Sequence, residues 1–125
     1  MKNIPLSFFL ILSLPCLSQS IQWAKCFGGN YTEGSFSSWQ EMGGKILNAT
    51  DGNYVLAGNS TSNDGDVSGN HGQSDAWILK FDTTGILLWQ TCIGGTEKDI
   101  LTGATQASGG GYVFCGYNYT PSNRI

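Results

Sequence analysis

The chain has 125 residues, 18 of them Gly and three Pro, with 40% apolar and 12% charged side chains and a formal net charge of −3. Glycine at about twice its usual share, with little Pro, excludes collagen; the shortage of charged helix formers excludes a coiled coil; and the four Trp, five Tyr and six Phe exclude a disordered chain. One small β-rich domain fits what remains.

Residues 1–20 predict a signal peptide. Lys2 is the only charge ahead of an apolar run from Ile4 to Leu17, and Ser18 and Ser20 stand at the small-residue positions of a cut before Ile21. This is the three-part pattern of secretory export. The run is about 14 residues, short of the ~20 that a helix needs to cross a bilayer. A buried N-terminal helix and a lipid-modified Cys16 are the competing readings. After the cut, five basic side chains face nine acidic ones, a net of −4, with no run of Lys or Arg. Nucleic acid and anionic membrane therefore have no electrostatic footprint to recognise. No later apolar stretch reaches spanning length, so no membrane insertion is expected once the signal is removed.

Ile21 to Gly29 predicts a strand that ends one unit. Between Tyr31 and Met42 lies an insertion whose Trp39 is the best candidate for a ligand-binding side chain, stacking on a sugar ring or anchoring a partner protein, with an edge-capping role as the bland alternative. Lys45–Thr50 and Tyr54–Ser60 flank Asp51-Gly52-Asn53, which predicts a hairpin. Ala76–Asp82 and Ile86–Ile93 flank Thr83-Thr84-Gly85 and predict a second. Trp77, Leu79 and Phe81 share one face with Ala76 and Ile78 on the other, while Leu87, Trp89 and Ile93 alternate with Ile86, Leu88 and Cys92. Both faces are apolar, so this sheet should be covered on both sides. Ile100 to Tyr119 begins a further unit.

The chain also repeats itself. Trp23-Ala24-Lys25-Cys26-Phe27-Gly28-Gly29 matches Trp89-Gln90-Thr91-Cys92-Ile93-Gly94-Gly95, and Gly52-Asn53-Tyr54-Val55-Leu56-Ala57-Gly58 matches Gly110-Gly111-Tyr112-Val113-Phe114-Cys115-Gly116. Four short strands per unit, apolar on both faces, predict an all-β fold of antiparallel four-stranded blades as in a β-propeller. Residues 21–29 would be the last strand of one blade, 44–95 a full blade and 99–120 a partial one, so residues 21–125 hold under two full blades. Such incomplete blades would leave apolar faces and unpaired edges open, and self-association is expected.

Trp89 with Gly94-Gly95, the Asp51-Gly52-Asn53-Tyr54 turn, Gly58-Asn59-Ser60-Thr61-Ser62, and Asp64-Gly65-Asp66-Val67-Ser68-Gly69-Asn70-His71-Gly72 leading to Asp75-Ala76-Trp77-Ile78-Leu79-Lys80-Phe81-Asp82 resemble the secreted bacterial propeller-type repeats, which often precede a type IX secretion sorting domain. The resemblance covers almost all of residues 21–120. It implies a propeller fold and a secreted or cell-surface, extracellular setting, and it implies no enzyme activity.

Candidate chemistry is sparse. Asp64, Asp66, Ser68 and Asn70 stand at alternate positions of a Gly-containing loop with Asp75 at the twelfth, a spacing that can offer oxygens to calcium. The alternative is a polar connection whose side chains bond their own backbone. His71 is the only histidine, and no nucleophile elbow accompanies it. Glu33, Glu41, Glu97 and Asp99 are read as solvated loop charges rather than a glycosidase pair. Cys26, Cys92 and Cys115 match no zinc spacing and read as small buried hydrophobes rather than disulfide partners. Gly28-Gly29 and Gly94-Gly95 read as tight turns between blades. The expected function is a non-catalytic exported scaffold, an adhesion or binding module for a glycan or a surface protein. The alternative is the non-catalytic N-terminal part of a secreted carbohydrate-active enzyme.

Overall fold

The computed structural model describes residues 21–31 and 44–119. Among them there is no helix and there are six strands: β1 Lys45–Asn48, β2 Tyr54–Ser60, β3 Asp75–Phe81, β4 Leu87–Ile93, β5 Lys98–Gln106 and β6 Tyr112–Tyr119. The first four form an antiparallel sheet in the order β1-β2-β3-β4, and β5 and β6 pair in a second sheet. The protein is all-β, as its alternating runs predict.

Three tight turns share one construction. Ala49 N donates to Asn53 O and Gly52 N to Ala49 O; the same pair of bonds joins Asp82 with Ile86 and Gly85, and Ala107 with Gly111 and Gly110. Each turn places its glycine at a φ between +83° and +89° (Gly52, Gly85 and Gly110), where an L side chain is strained. This is a type I turn closed by a left-handed residue, and it selects glycine at that position.

The repeat is visible in the backbone. In the first hairpin Asn48 faces Tyr54, Leu47 faces Val55 and Ile46 faces Leu56. In the β5–β6 hairpin Gln106 faces Tyr112, Thr105 faces Val113 and Ala104 faces Phe114. Every position has moved by 58 residues, from Tyr54 to Tyr112 for instance, and the register is unchanged.

The larger sheet is covered on both faces, as its pattern predicts. On one side Val55, Ala57, Ala76 and Ile78 pack with Leu101 and with the half-buried Ala104, Tyr112 and Phe114 of the second sheet. On the other, Trp77, Leu79, Phe81 and Cys92 pack with Val67, Phe27, Tyr54, Leu56 and Leu87. Val55, Ile78 and Leu79 are fully buried, and each such side chain contributes about 1.5–3 kcal/mol of apolar burial.

Two local expectations are corrected. A bulge between Lys80 and Phe81 pairs Lys80 with Trp89 and Phe81 with Leu87, so Leu88 is the extra residue. The alternation therefore breaks: Leu87 joins the Phe81 side, while Trp89 stays on the other and meets Tyr112 at 6.3 Å between ring centroids. Residues 21–29, expected as a strand, form none. They are tied down instead by side chains laid on a sheet face, where backbone groups have no edge to pair with. Trp23 and Phe27 lie against Phe81 at 5.9 and 5.2 Å, and Trp23 Nε1 donates to Thr83 O at 2.8 Å.

Candidate functional site

The acidic loop between β2 and β3 carries most of the predicted site. Its local geometry begins with Val67, which is 1% exposed and packs among Trp77, Leu79, Phe81 and Cys92. This one apolar side chain pins the loop to the core, and the polar residues around it turn outward or toward backbone. Val67 N closes a turn on Asp64 O at 3.0 Å.

The five residues at calcium spacing are directed to separate partners. Asp64 accepts from Asn30 N at 2.8 Å and from Asn30 Nδ2 at 2.6 Å. Asp66 accepts from Gly28 N at 3.2 Å, and its own N–H returns a bond to Gly28 O. Ser68 accepts from Gln90 Nε2, whose Oε1 in turn receives Trp77 Nε1 at 2.9 Å. Asn70 donates to Ser60 O and accepts from Gly72 N, both at 2.9 Å. Asp75, at the start of β3, is fully buried; its Oδ2 accepts from His71 N at 3.1 Å and lies 2.7 Å from His71 Nδ1. The structure thus brings Asp64 and Asp66 together against Gly28–Asn30 and places the other three elsewhere. Among the described residues no group of three or more His, Cys, Asp or Glu side chains is arranged to hold a metal ion.

Asp75 Oδ1 is the one buried side-chain oxygen or nitrogen among the described residues that lacks a hydrogen-bond partner. It lies against the Cα of Gly94, and Asp99 approaches the same glycine. Asp99 Oδ2 accepts from Gly95 N at 2.7 Å and its Oδ1 from Asn118 Nδ2 at 3.1 Å. The sequence contains no signal for this junction, because Asp75 and Asp99 are far apart in the chain and meet only through the return of β5 beside Ser74. That return is fixed by a parallel bridge between Ser74 and Lys98 and by a bond from Asp99 N to Ser74 O at 2.7 Å. Asn59, also missed, is buried and clips the two sheets: its Nδ2 donates to Asp99 O at 2.9 Å and its Oδ1 accepts from Leu101 N at 3.3 Å.

The glycine pairs are corrected in their role. Gly94, Gly95 and Gly29 carry no positive φ; Gly94 and Gly29 are small because something passes close, while nothing lies within 4 Å of a Cβ on Gly95. A Cβ on Gly94 would stand 2.6 Å from Asp75 Oδ1 and 2.7 Å from Asp99 Oδ2, and one on Gly29 would overlap Asp64 Oδ1. Of the three described cysteines only Cys92 is the small buried hydrophobe expected; Cys26 and Cys115 are exposed instead, and all three are free thiols. Burial, helped by the Asp75 carboxylate, pushes the Cys92 thiol up to about 11.

A groove of about 240 Å³ opens between the end of the larger sheet and β6, lined by Ile93, Asp99, Ile100, Phe114 and Tyr117 among others. That is below the ~300 Å³ at which ligand pockets usually start. Glu97 accepts from Gln73 Nε2 at 3.1 Å. Trp39, Glu33 and Glu41 lie outside the described residues, as does the segment 1–20. Among the described residues no helix is long and apolar enough to cross a membrane.

No family model matches the chain, and neither the curated proteins nor the solved structures contain a significant match to it.

Proposed function

We propose that this chain is an exported, non-catalytic repeat scaffold of β-propeller-like blades that serves at the cell surface or outside the cell as an adhesion or binding module. The observation that carries this reading is the repetition of one hairpin, in one register, with its second copy packed on the first. Stacked sheets of that kind are how a propeller is assembled. The leader-like residues 1–20 and the resemblance to secreted propeller-type repeats support the location. The polar side chains of the 63–75 loop also favour a scaffold, since Asn63, Asp64, Asn70 and Asp75 are each engaged in holding backbone or a neighbouring side chain.

The test has two arms. Expression of the full chain in a secreting bacterium, followed by N-terminal sequencing of the extracellular and surface fractions, should find a chain that begins at Ile21. Binding of that material to a glycan array and to intact cells, compared with Trp39→Ala, then reads the binding role. A product that stays inside the cell with Met1 in place defeats the export reading, and binding unchanged by Trp39→Ala removes Trp39 from the ligand site. The calcium reading of the loop requires Asp64 and Asp66 to release Asn30 and Gly28. Calorimetric titration with Ca²⁺ tests it, and heat that survives Asp64→Ala with Asp66→Ala would dismiss it.

A further inference from the structure

We propose that copies of this chain associate head to tail, with the β1–β2 face around Ile46 of one copy covering the outer β5–β6 face around Val113 of the next. The proposal rests on the repeat and stands whether or not the chain is exported or binds a glycan.

Equivalent positions of the two hairpins differ sharply in exposure. Val55 and Ala57 on β2 are 0% and 1% exposed because the second sheet covers them. Their equivalents 58 residues on are Val113, which is 54% exposed, and Cys115, also exposed. The same kind of side chain, on the same edge of the same hairpin, is buried in one copy and bare in the other. Single exposed hydrophobes need no explanation. A position whose counterpart is sealed in the core of the same molecule does.

The molecule also displays the shape of the missing cover. The face that seals Val55 and Ala57 presents Ala104, Tyr112 and Phe114. Moved back by 58 residues, those positions are Ile46, Tyr54 and Leu56, with Ile46 paired to Leu56 in the ladder. Ile46 is 64% exposed, while Tyr54 and Leu56 are half-buried in the cluster of Phe81, Phe27 and Val67, so the open part of this face lies at the β1 edge. Each chain thus carries, one on either side, partial copies of the two complementary halves of its own internal interface. An interface between two different patches does not close on itself, so it extends into chains of copies rather than stopping at a pair.

Several internal contacts are not repeated: Leu101 has Gly43 as its equivalent, and Ala76 and Ile78 of β3 have no counterpart beside β6 among the described residues. Asn59, which clips the two sheets together, has Tyr117 as its equivalent, 54% exposed. The interface between copies is therefore apolar and aromatic, without the amide clip.

The experiment is sedimentation velocity on the full chain over a wide range of concentration, with Val113→Asp and Ile46→Asp as variants. Both positions are exposed in the single chain, and unchanged far- and near-ultraviolet circular dichroism establishes that each variant still folds. The wild type is expected to grow in mass continuously with concentration. Each variant alone should lose that growth, with association weakened by about tenfold or more because an unpaired carboxylate would be buried in the contact. An equimolar mixture of the two variants should form a one-to-one pair and nothing larger, because one chain keeps a sound Ile46 face and the other a sound Val113 face. A wild type that stays monomeric throughout overturns the proposal. So does growth that either substitution leaves unchanged, or a mixture that remains monomeric.

Discussion

Gly94 is expected to tolerate no side chain, while its neighbour Gly95 tolerates one freely. A methyl group on Gly94 would lie 2.6 Å from Asp75 Oδ1, 2.7 Å from Asp75 Cγ and 2.7 Å from Asp99 Oδ2, whereas nothing lies within 4 Å of the same methyl on Gly95. Ordinary contact begins near 3.4 Å, so the carboxylates or the backbone must yield by about 0.7–0.8 Å. Neither acid is free to swing. Asp75 is fully buried and held by His71, and Asp99 is held by Gly95 N and Asn118. Overpacking of this kind costs about 1–3 kcal/mol, offset by about 0.4–1 kcal/mol from the stiffer unfolded chain. For a domain of 60–100 residues each lost kcal/mol lowers the melting temperature by roughly 4–8 °C. Thermal melts followed by circular dichroism should therefore place Gly94→Ala several degrees below the wild type and Gly95→Ala within the scatter of neutral surface changes. Asp75→Ala removes the obstructing carboxylate, so the double variant should lose less than the two single losses added together. Equal melting of Gly94→Ala and Gly95→Ala would falsify the reasoning, since only the carboxylates distinguish the two sites.

Three further outcomes are expected. Val67→Ala, which empties the side chain that pins the acidic loop, should cost about 1–3 kcal/mol and speed hydrogen exchange at Asp66 N; a loop unchanged in exchange would mean that the Asp64 and Asp66 bonds suffice to hold it. The carboxyl of Asp82 is held below its ordinary 3.8, chiefly by the Thr84 hydroxyl and then by backbone N–H groups such as that of Ile86. A lowered carboxylate stabilises the fold above the unfolded value and loses that stabilisation as pH falls through the folded one, so Asp82→Asn should flatten stability against pH below about 4, and an unaltered slope in urea melts at acid pH would contradict this. Cys92, at about 11 against an ordinary 9.0, carries about a hundredfold less thiolate than an unperturbed thiol near neutral pH. At pH 8, at a dilution where the chain is a single copy, a disulfide reagent should modify the exposed Cys26 and Cys115 at once and Cys92 only on unfolding; three equal rates would show that the sheet face over Cys92 is open.

How much of this could be read from the chain depends on what kind of interaction decides each residue. Turn glycines and strand alternation are local, so both hairpins, the two-sided burial of β3 and the repeat were legible. The bulge at Leu88 was not, because a run of apolar residues through Ile86, Leu87, Leu88 and Trp89 looks the same in either register; the partner strand chooses it, by pairing Phe81 with Leu87. Val67 has no oxygen to offer a calcium loop and carries no other local signal; its meaning comes from the cluster of Trp77 and Phe81 into which it packs. Asp75 presented as the last ligand of that loop. It is the first residue of a buried strand, and its carboxylate turns toward His71 and Gly94 instead of toward Asp64.

The Gly-Gly pairs join these points. In both copies a carboxylate fills the space of one missing Cβ: Asp64 beside Gly29, Asp75 and Asp99 beside Gly94. The first belongs to the loop after the segment it contacts, and the second pair to strands on either side of it. Each pair therefore marks the place where the end of one unit is gripped by an acid of the next, Asp64 at Gly29 and Asp99 at Gly94, with Asp75 of the same unit joining Asp99. A glycine kept for such an approach need not have a special φ, and the sequence alone cannot separate it from a turn glycine like Gly85 at +84°. Alanine substitution does separate them. At Gly94 the damage should be relieved by removing Asp75, whereas at Gly85 the loss lies in the backbone itself and in the Trp23 ring stacked over it, and no change at Asp75 should restore it.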